Sequence, residues 1–338
     1  MTAIGTGAAI FGCAGAVLAA DERAFFRDAD PFGFIIFARN VENPDQLRRL
    51  TASLRDAVGR DAPILVDQEG GRVQRLRAPH WREWLPPLDQ VERSGPKAAQ
   101  GMALRSRIIA AELRDVGIDG NCAPCADLAS AATHPFLRNR CYGSDPAEVA
   151  AVARAVADAH LAGGVLPVIK HMPGHGRSTA DTHHDLPTVR EDSASLAATD
   201  FAPFHALNEL PMAMTAHIVF AAHDPGLPAT QSPAMIRVIR EQIGFGGLLL
   251  TDDLNMQALS GSLADRAALS LSAGCDIALH CKGDLAEMQA VAAAAGAMRP
   301  DTQARAQAAL AARRTPDQVD IAALEADLAT ILQEPAHG

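Results

Sequence analysis

The chain has 338 residues, of which 48% are hydrophobic, 21% charged and 4% aromatic, with 30 Lys and Arg against 40 Asp and Glu for a net charge of −10. This composition excludes a disordered chain. An acidic balance without basic clusters interleaved with aromatics argues against a nucleic-acid partner. No apolar run reaches the roughly 18 residues of a membrane span. Residues 8–20 are apolar and small, but the first basic residue, Arg23, follows them, so neither a secretory signal nor a lipid-modified Cys13 is expected. A cytoplasmic, monomeric protein with no membrane partner is the expectation.

In chain order, eight short apolar runs each precede a helix-patterned stretch. Ala8–Gly12 is followed by Asp21–Arg27, Gly33–Ala38 by Pro44–Val58, Pro63–Asp67 by Lys97–Val116, and Gly120–Leu128 by Pro146–Ala162. Then Leu166–His171 is followed by Ser195–Leu207, Pro211–Ala216 by Pro233–Ile243, Gly247–Asp252 by Asp265–Ala273, and Cys275–Cys281 by Leu285–Ala295. Continuously apolar strands alternating with helices imply a parallel sheet covered on both faces. Eight such units suggest a closed α/β barrel, a single TIM (β/α)8 domain over residues 1–338, with a helical tail at about 291–332 packed on its wall.

Polar residues at the carboxyl ends of the runs strengthen the barrel reading, because barrel active sites form there. Asp67 and Glu69 follow the third run, Asp127 lies in the fourth, and Lys170 and His171 end the fifth. His217 follows the sixth, Asp252 and Asp253 lie at the end of the seventh, and His280 is in the eighth. An open sheet would gather such residues at one switch point instead.

The segment from Lys170 to Asp185 is the richest in chemistry, with histidines at 171, 175, 183 and 184 on a loop containing Gly and Pro. A solvated turn, a metal site and a carboxylate–imidazole dyad all fit that composition. The dyad would pair Asp181 with His183, since residues i and i+2 of an extended chain share a side. A carboxylate there fixes the tautomer and favours the protonated ring, which can then give and take a proton. At 252–253, neighbouring strand residues should face opposite ways, with Asp252 entering the barrel mouth as a nucleophile and Asp253 capping the following turn. The Asp67–Leu76 segment carries Gly70-Gly71 but neither phosphate-loop pattern. It suits either sugar hydroxyls or a structural Asp–Arg pair. Of the six cysteines, Cys122 and Cys125 form a C-x-x-C within an apolar stretch. They read as buried thiols of a reducing compartment, with no metal expected.

Four runs together resemble glycoside hydrolase family 3, in particular its bacterial β-N-acetylglucosaminidases of the cell-wall recycling type. They are Asp67–Arg75, the Lys-His-x-Pro-Gly-His-Gly run at 170–176, the Asp-x-His at 181–183 and the Asp-Asp-Leu-x-Met at 252–256. The stretches Phe37–Asn40 and Ala273–Asp276 are similar as well. The resemblance implies Asp252 as nucleophile and His183 as acid/base with Asp181 as its partner. It implies Asp67, Arg75, Arg140, Lys170 and His171 as the residues that hold N-acetylglucosamine, and no cofactor. It points to N-acetylglucosaminyl-anhydro-muropeptides as substrates. The chain departs from the family pattern at Cys122 and Cys125, where apolar residues are usual, at Cys141, where Ser is usual, and at Met172, where Phe or Tyr is common. Two rivals remain on the same scaffold. One is a phosphorylase. The other is a metal-dependent hydrolase using His171, His175, His217 and Asp252.

Overall fold

The computed structural model describes residues 3–131, 133–178 and 185–333. Eight parallel strands close into a barrel in sequential order. They are β1 (Gly7–Phe11), β2 (Pro31–Ile36), β3 (Ile64–Val66), β4 (Gly120–Asn121), β5 (Leu166–Met172), β6 (Met212–Thr215), β7 (Leu248–Asp253) and β8 (Ile277–His280). The last strand pairs with the first through Ala9–Ala278 and Ile10–Leu279.

Strand alternation divides the core. Ala8, Ile10, Phe32 and Leu65 fall in one buried cluster. Ala9, Phe11, Phe34, Ile36, Ile64 and Val66 fall in another, together with Phe26, Leu47, Leu50 and Leu54 from the flanking helices. Both faces of a strand are thus covered, which is why these runs read as continuously apolar rather than alternating. The helix Pro44–Val58 shows how the local sequence sets an outer element. Asn43 accepts the N–H of Gln46 at 2.9 Å, Pro44 occupies the first turn, and Gly59 ends the helix at φ 63°. Between these caps, Leu47, Leu50 and Leu54 repeat at helical spacing and face the barrel.

Four expectations change. The strand expected over Gly120–Leu128 is two residues long, because Pro124 has no N–H for a ladder. The run stays hydrogen-bonded to β5, with the N–H groups of Val168 and Lys170 donating to the carbonyls of Ala123 and Pro124 and a bridge forming between Cys125 and Lys170. The helix expected at Ser195–Leu207 is two pieces, Ser193–Ala198 and Ala202–Ala206. At the break the Thr199 hydroxyl lies 2.7 Å from the Ser195 carbonyl and 2.8 Å from the Asp200 carboxylate. Beyond Arg237 the helix from Pro233 widens to a π-turn over Val238–Gln242. The tail is three helices, Leu285–Ala295, Pro300–Ala311 and Ile321–Gln333, with buried Leu328 and Ile331 on the last. Elements outside the expected runs include the helix Pro87–Ser94, a hairpin of Gln68–Gly70 with Val73–Gln74, the short helix Pro135–Arg138 and a two-stranded pair of Thr188–Val189 with Val219–Phe220.

The amino-terminal ends of the strands are tied by buried carboxylates. Asp119 accepts the N–H of Ile64 at 2.7 Å and pairs with Arg55 and Arg313. Asp276 accepts the N–H of Leu249 at 2.9 Å and pairs with Arg240 and Arg305 at 2.7 Å each. The family-like Ala273–Asp276 stretch therefore serves the floor of the barrel, away from its mouth.

Leu50 is 2% exposed within the layer between helix and barrel. Leu50→Ala should lower unfolding free energy by about 2–5 kcal/mol, as buried Leu truncations do. Chemical denaturation monitored by circular dichroism measures this. A loss below about 1 kcal/mol would mean that the layer collapses around the vacancy.

Candidate active site

The carboxyl ends of the strands surround a cavity of about 130 Å³, lined by Asp67, Arg75, Arg140, Lys170, His171 and Asp252 among others. These are six of the eight residues singled out in the sequence. The other two, Asp181 and His183, lie outside the described residues, as does His184.

Asp67 follows β3 directly, and the hairpin after it folds back so that Arg75 Nη2 donates to Asp67 Oδ2 at 2.8 Å. The hairpin turns on Gly70 (φ 110°) and Gly71 (φ 57°). A Cβ on Gly70 would run into the Arg105 guanidinium and come within 2.8 Å of the Leu85 carbonyl. Lys170, near the end of β5, donates to Asp67 Oδ1 at 2.8 Å and pairs with Glu69 Oε1 at 2.6 Å. Arg140 grips the same Glu69 through both oxygens, at 2.9 and 2.8 Å. Cations and carboxylates therefore alternate along one wall in the order Arg75, Asp67, Lys170, Glu69, Arg140. Burial works against the charged carboxylates, yet Arg140 and Lys170 hold Glu69 down at about 2. Lys170 and Arg75 likewise hold Asp67 well below the usual carboxylate range. The cations stay charged for the same reason, with Lys170 raised despite its burial.

His171 is set by Asp127. Its Nδ1 donates to Asp127 Oδ2 at 2.7 Å, and Asp127 Oδ1 accepts the N–H of His175 at 2.7 Å. With the proton on Nδ1, the His171 Nε2 is left as an acceptor, 3.4 Å from Arg140 Nη2. His175 is pushed down to about 4, first by burial and then by His171.

Asp252 ends the opposite wall. Between Leu250 and Asp253, β7 advances three residues while β8 advances two, from Ile277 to Leu279. This bulge breaks the simple alternation expected at 252–253, so both carboxylates border the cavity. Their bonding separates them. Asp252 Oδ1 accepts one backbone N–H, that of Asp253, at 2.8 Å. Asp253 Oδ1 accepts the N–H of Asn255 at 3.1 Å and of Cys281 at 3.2 Å. It caps the turn that follows β7, as expected, and also ties that turn to the end of β8. Burial tends to raise Asp252, but His171, His217 and the Asp253 N–H outweigh it, and its pKa lies below the ordinary value. Burial dominates at Asp253, which is pushed up to about 6.

Sequence reasoning did not include Glu69 and Asp127 among the binding residues, although both had been noted as polar groups near strand ends. The family-like Arg39 and Asn40 reinforce the rim: Arg39 donates to the carbonyls of Cys13 and Cys281 at 2.9 and 2.6 Å, and Asn40 to that of Cys13 at 3.1 Å. The metal-ligand set of the hydrolase rival is not assembled. His217 lies 2.8 Å from the Thr230 hydroxyl through Nδ1 and donates through Nε2 to the Asp253 carbonyl at 3.1 Å.

The chain matches the glycosyl hydrolase family 3 N terminal domain over residues 16–314. A β-hexosaminidase of Methylococcus capsulatus is 37% identical over 277 residues, covering 80% of this chain and 82% of that protein. The structure of a family 3 β-N-acetylglucosaminidase from Paenibacillus superposes with a TM-score of 0.85 at 27% identity, covering 96% of this chain and 67% of that one. NagZ from Neisseria gonorrhoeae in complex with N-trifluoroacetyl-D-glucosamine superposes at 0.84 and 28% identity, covering 98% of this chain and all (100%) of that one. With this barrel and this site, the chain belongs to glycosyl hydrolase family 3. It is a glycoside hydrolase of the β-hexosaminidase type.

The raised Asp253 makes a pH prediction. Its folded pKa of about 6 lies above the ordinary carboxylate value, so between the two the folded state holds a proton that the unfolded chain has lost. The stability it contributes is present at low pH and lost as pH rises through about 6. Asp253→Asn cannot lose that proton. Relative to wild type, the variant should gain several degrees in melting temperature between about pH 5 and about pH 8. A parallel pH dependence in the two proteins would contradict this.

Proposed function

We propose that the chain removes terminal, non-reducing β-linked N-acetylglucosamine by a two-step retaining mechanism, with Asp252 as nucleophile and His183, oriented by Asp181, as acid/base. The observation that carries this reading is an ionised carboxylate, Asp252, facing the charged wall of Asp67, Arg75, Lys170, Arg140 and His171 across the cavity at the mouth of the barrel. The wall supplies donors and acceptors in fixed positions. A neutral, hydroxyl-rich ligand can exchange hydrogen bonds with it without moving a charge. Asp252 attacks the anomeric carbon while His183 protonates the leaving oxygen. His183 then takes a proton from water, which releases the sugar from Asp252 with net retention. Side chains suffice for these steps, and no cofactor enters.

Arg177, which precedes the dyad in sequence, binds Asp200 at 2.6 Å, Glu191 at 3.0 Å and the Thr199 hydroxyl at 3.1 Å. By resemblance, the natural substrates are N-acetylglucosaminyl-anhydro-muropeptides. A cytoplasmic setting, a single catalytic domain over the whole chain and a monomeric state complete the proposal. The six free, buried cysteines suit a reducing compartment.

Two outcomes test the roles. Asp252→Ala should reduce turnover of an aryl β-N-acetylglucosaminide by several orders of magnitude, while Asp253→Asn retains substantial activity. A dead Asp253→Asn beside an active Asp252→Asn would reverse the assignment. His183→Ala should slow a natural disaccharide far more than a nitrophenyl glycoside, since only the sugar leaving group needs a proton. Asp181→Asn should show a weaker form of the same bias, and His184→Ala little. Catalytic efficiencies on both substrates decide this, and equal losses for His183→Ala would make that residue a binding group only.

A further inference from the structure

Behind the wall that faces the sugar lies a cluster that shares His171 with that wall and adds two buried thiols that the hydrolytic reaction does not use. Cys125 Sγ lies 3.4 Å from Asp127 Oδ2, and His171 Nδ1 lies 2.7 Å from the same oxygen. The three ligand atoms lie within 4.8 Å of one another, and all three residues are buried. The Cys141 thiol packs against Cys125 in the same small core. We propose that Cys125, Asp127 and His171, with Cys141 as the fourth ligand, form a site for a thiophilic divalent cation such as zinc or cadmium, and that filling it switches the glycosidase off.

The donor set matches such an ion. Two thiols, an imidazole and a carboxylate are soft and borderline ligands that select zinc-like metals over magnesium or calcium. With metal–sulfur bonds of about 2.3 Å and metal–nitrogen or –oxygen bonds of about 2.0–2.2 Å, tetrahedral ligands stand about 3.3–3.8 Å apart. Cys125 and Asp127 already have that spacing at 3.4 Å. The His171–Asp127 pair would open by roughly half an ångström to admit the ion. The thiols would release their protons on binding. The positive charge nearest the cluster, Arg140, is neutralised by its two-pronged grip on Glu69. Of the four ligands, His171 borders the cavity, and the other three lie buried behind it.

Inhibition follows from the histidine. In the metal-free site its Nδ1 donates to Asp127, and Nε2 accepts from the direction of Arg140 and the sugar. A metal on Nδ1 moves the proton to Nε2, which becomes a donor facing the Arg140 guanidinium, itself donor-only. The hydrogen-bonding polarity of His171 toward substrate is reversed. This inference rests on the proposed role of His171 in holding the sugar, but the metal site itself can be read without any activity.

The test titrates the full chain, reduced and chelator-free, with cadmium chloride. A thiolate-to-cadmium charge-transfer band should saturate at one equivalent, and glycosidase activity should fall at least tenfold over the same range and return with EDTA. Zinc should suppress the cadmium band by competition. Cys125→Ala should lose the band and the stoichiometric inhibition, and Cys141→Ser should weaken both. A missing band in the wild type, or one unchanged in Cys125→Ala, would overturn the site. Inhibition that persists in Cys125→Ala would place the metal effect elsewhere. A band without inhibition would keep the site but refute the switch.

Discussion

The ammonium of Lys170 is 2% exposed and rests between Asp67 and Glu69 inside the mouth of the barrel. A charge in that position is tolerated only when its partners are in place, because removing one partner leaves an uncompensated buried ion. Much of the upper barrel follows from this requirement. Glu69 must reach inward, so the chain after β3 turns into a hairpin on two glycines. Glu69 has a second oxygen to satisfy, which Arg140 meets from a separate loop. Asp67 draws Arg75 back over the cavity. The loops at the rim are thereby fixed to one another by charge pairing as well as by apolar packing.

The same network separates the two neighbouring carboxylates electrostatically. Asp252 faces His171, His217 and Lys170 and stays ionised, as a nucleophile must. Asp253 is dominated by burial and titrates at about 6. Environments that push adjacent acids apart are a usual way of assigning them different tasks. Here one faces the sugar, and the other joins the end of β7 to that of β8 through two backbone N–H groups.

The opposite end of the barrel is organised around Asp119 and Asp276, each buried and each accepting a backbone N–H, the first paired with three arginines and the second with two. These clamps leave the carboxyl ends of the strands to carry the chemistry. Arg177, bound to Asp200 and Glu191, extends the fixed framework to the edge of the segment that carries Asp181 and His183.

Eight apolar runs with polar residues at their carboxyl ends were enough to specify a barrel and the end that bears its site, because a strand covered on both faces has a distinctive composition. Motif residues from Asp67 to Asp252 could be recognised singly for the same reason: their chemistry is carried by residue type and local spacing. Other features depend on partners distant in sequence. Nothing near Asp127 announces that it orients His171, 44 residues away. Glu69 is linked to Arg140 across 71 residues, and that pairing exists only once the barrel closes. The bulge in β7 sets aside the alternation that residues 252 and 253 imply, since register is a property of two strands and not of one. The shortened fourth strand and the broken helix at Thr199 were likewise decided by tertiary structure, where Pro124 has no N–H to give a ladder and Asp200 turns to meet Arg177. Sequence alone thus determined which groups are available and on which elements they ride. Closure of the barrel decided which of them meet, because hydrogen bonding and charge pairing act only over a few ångströms, whatever the separation along the chain.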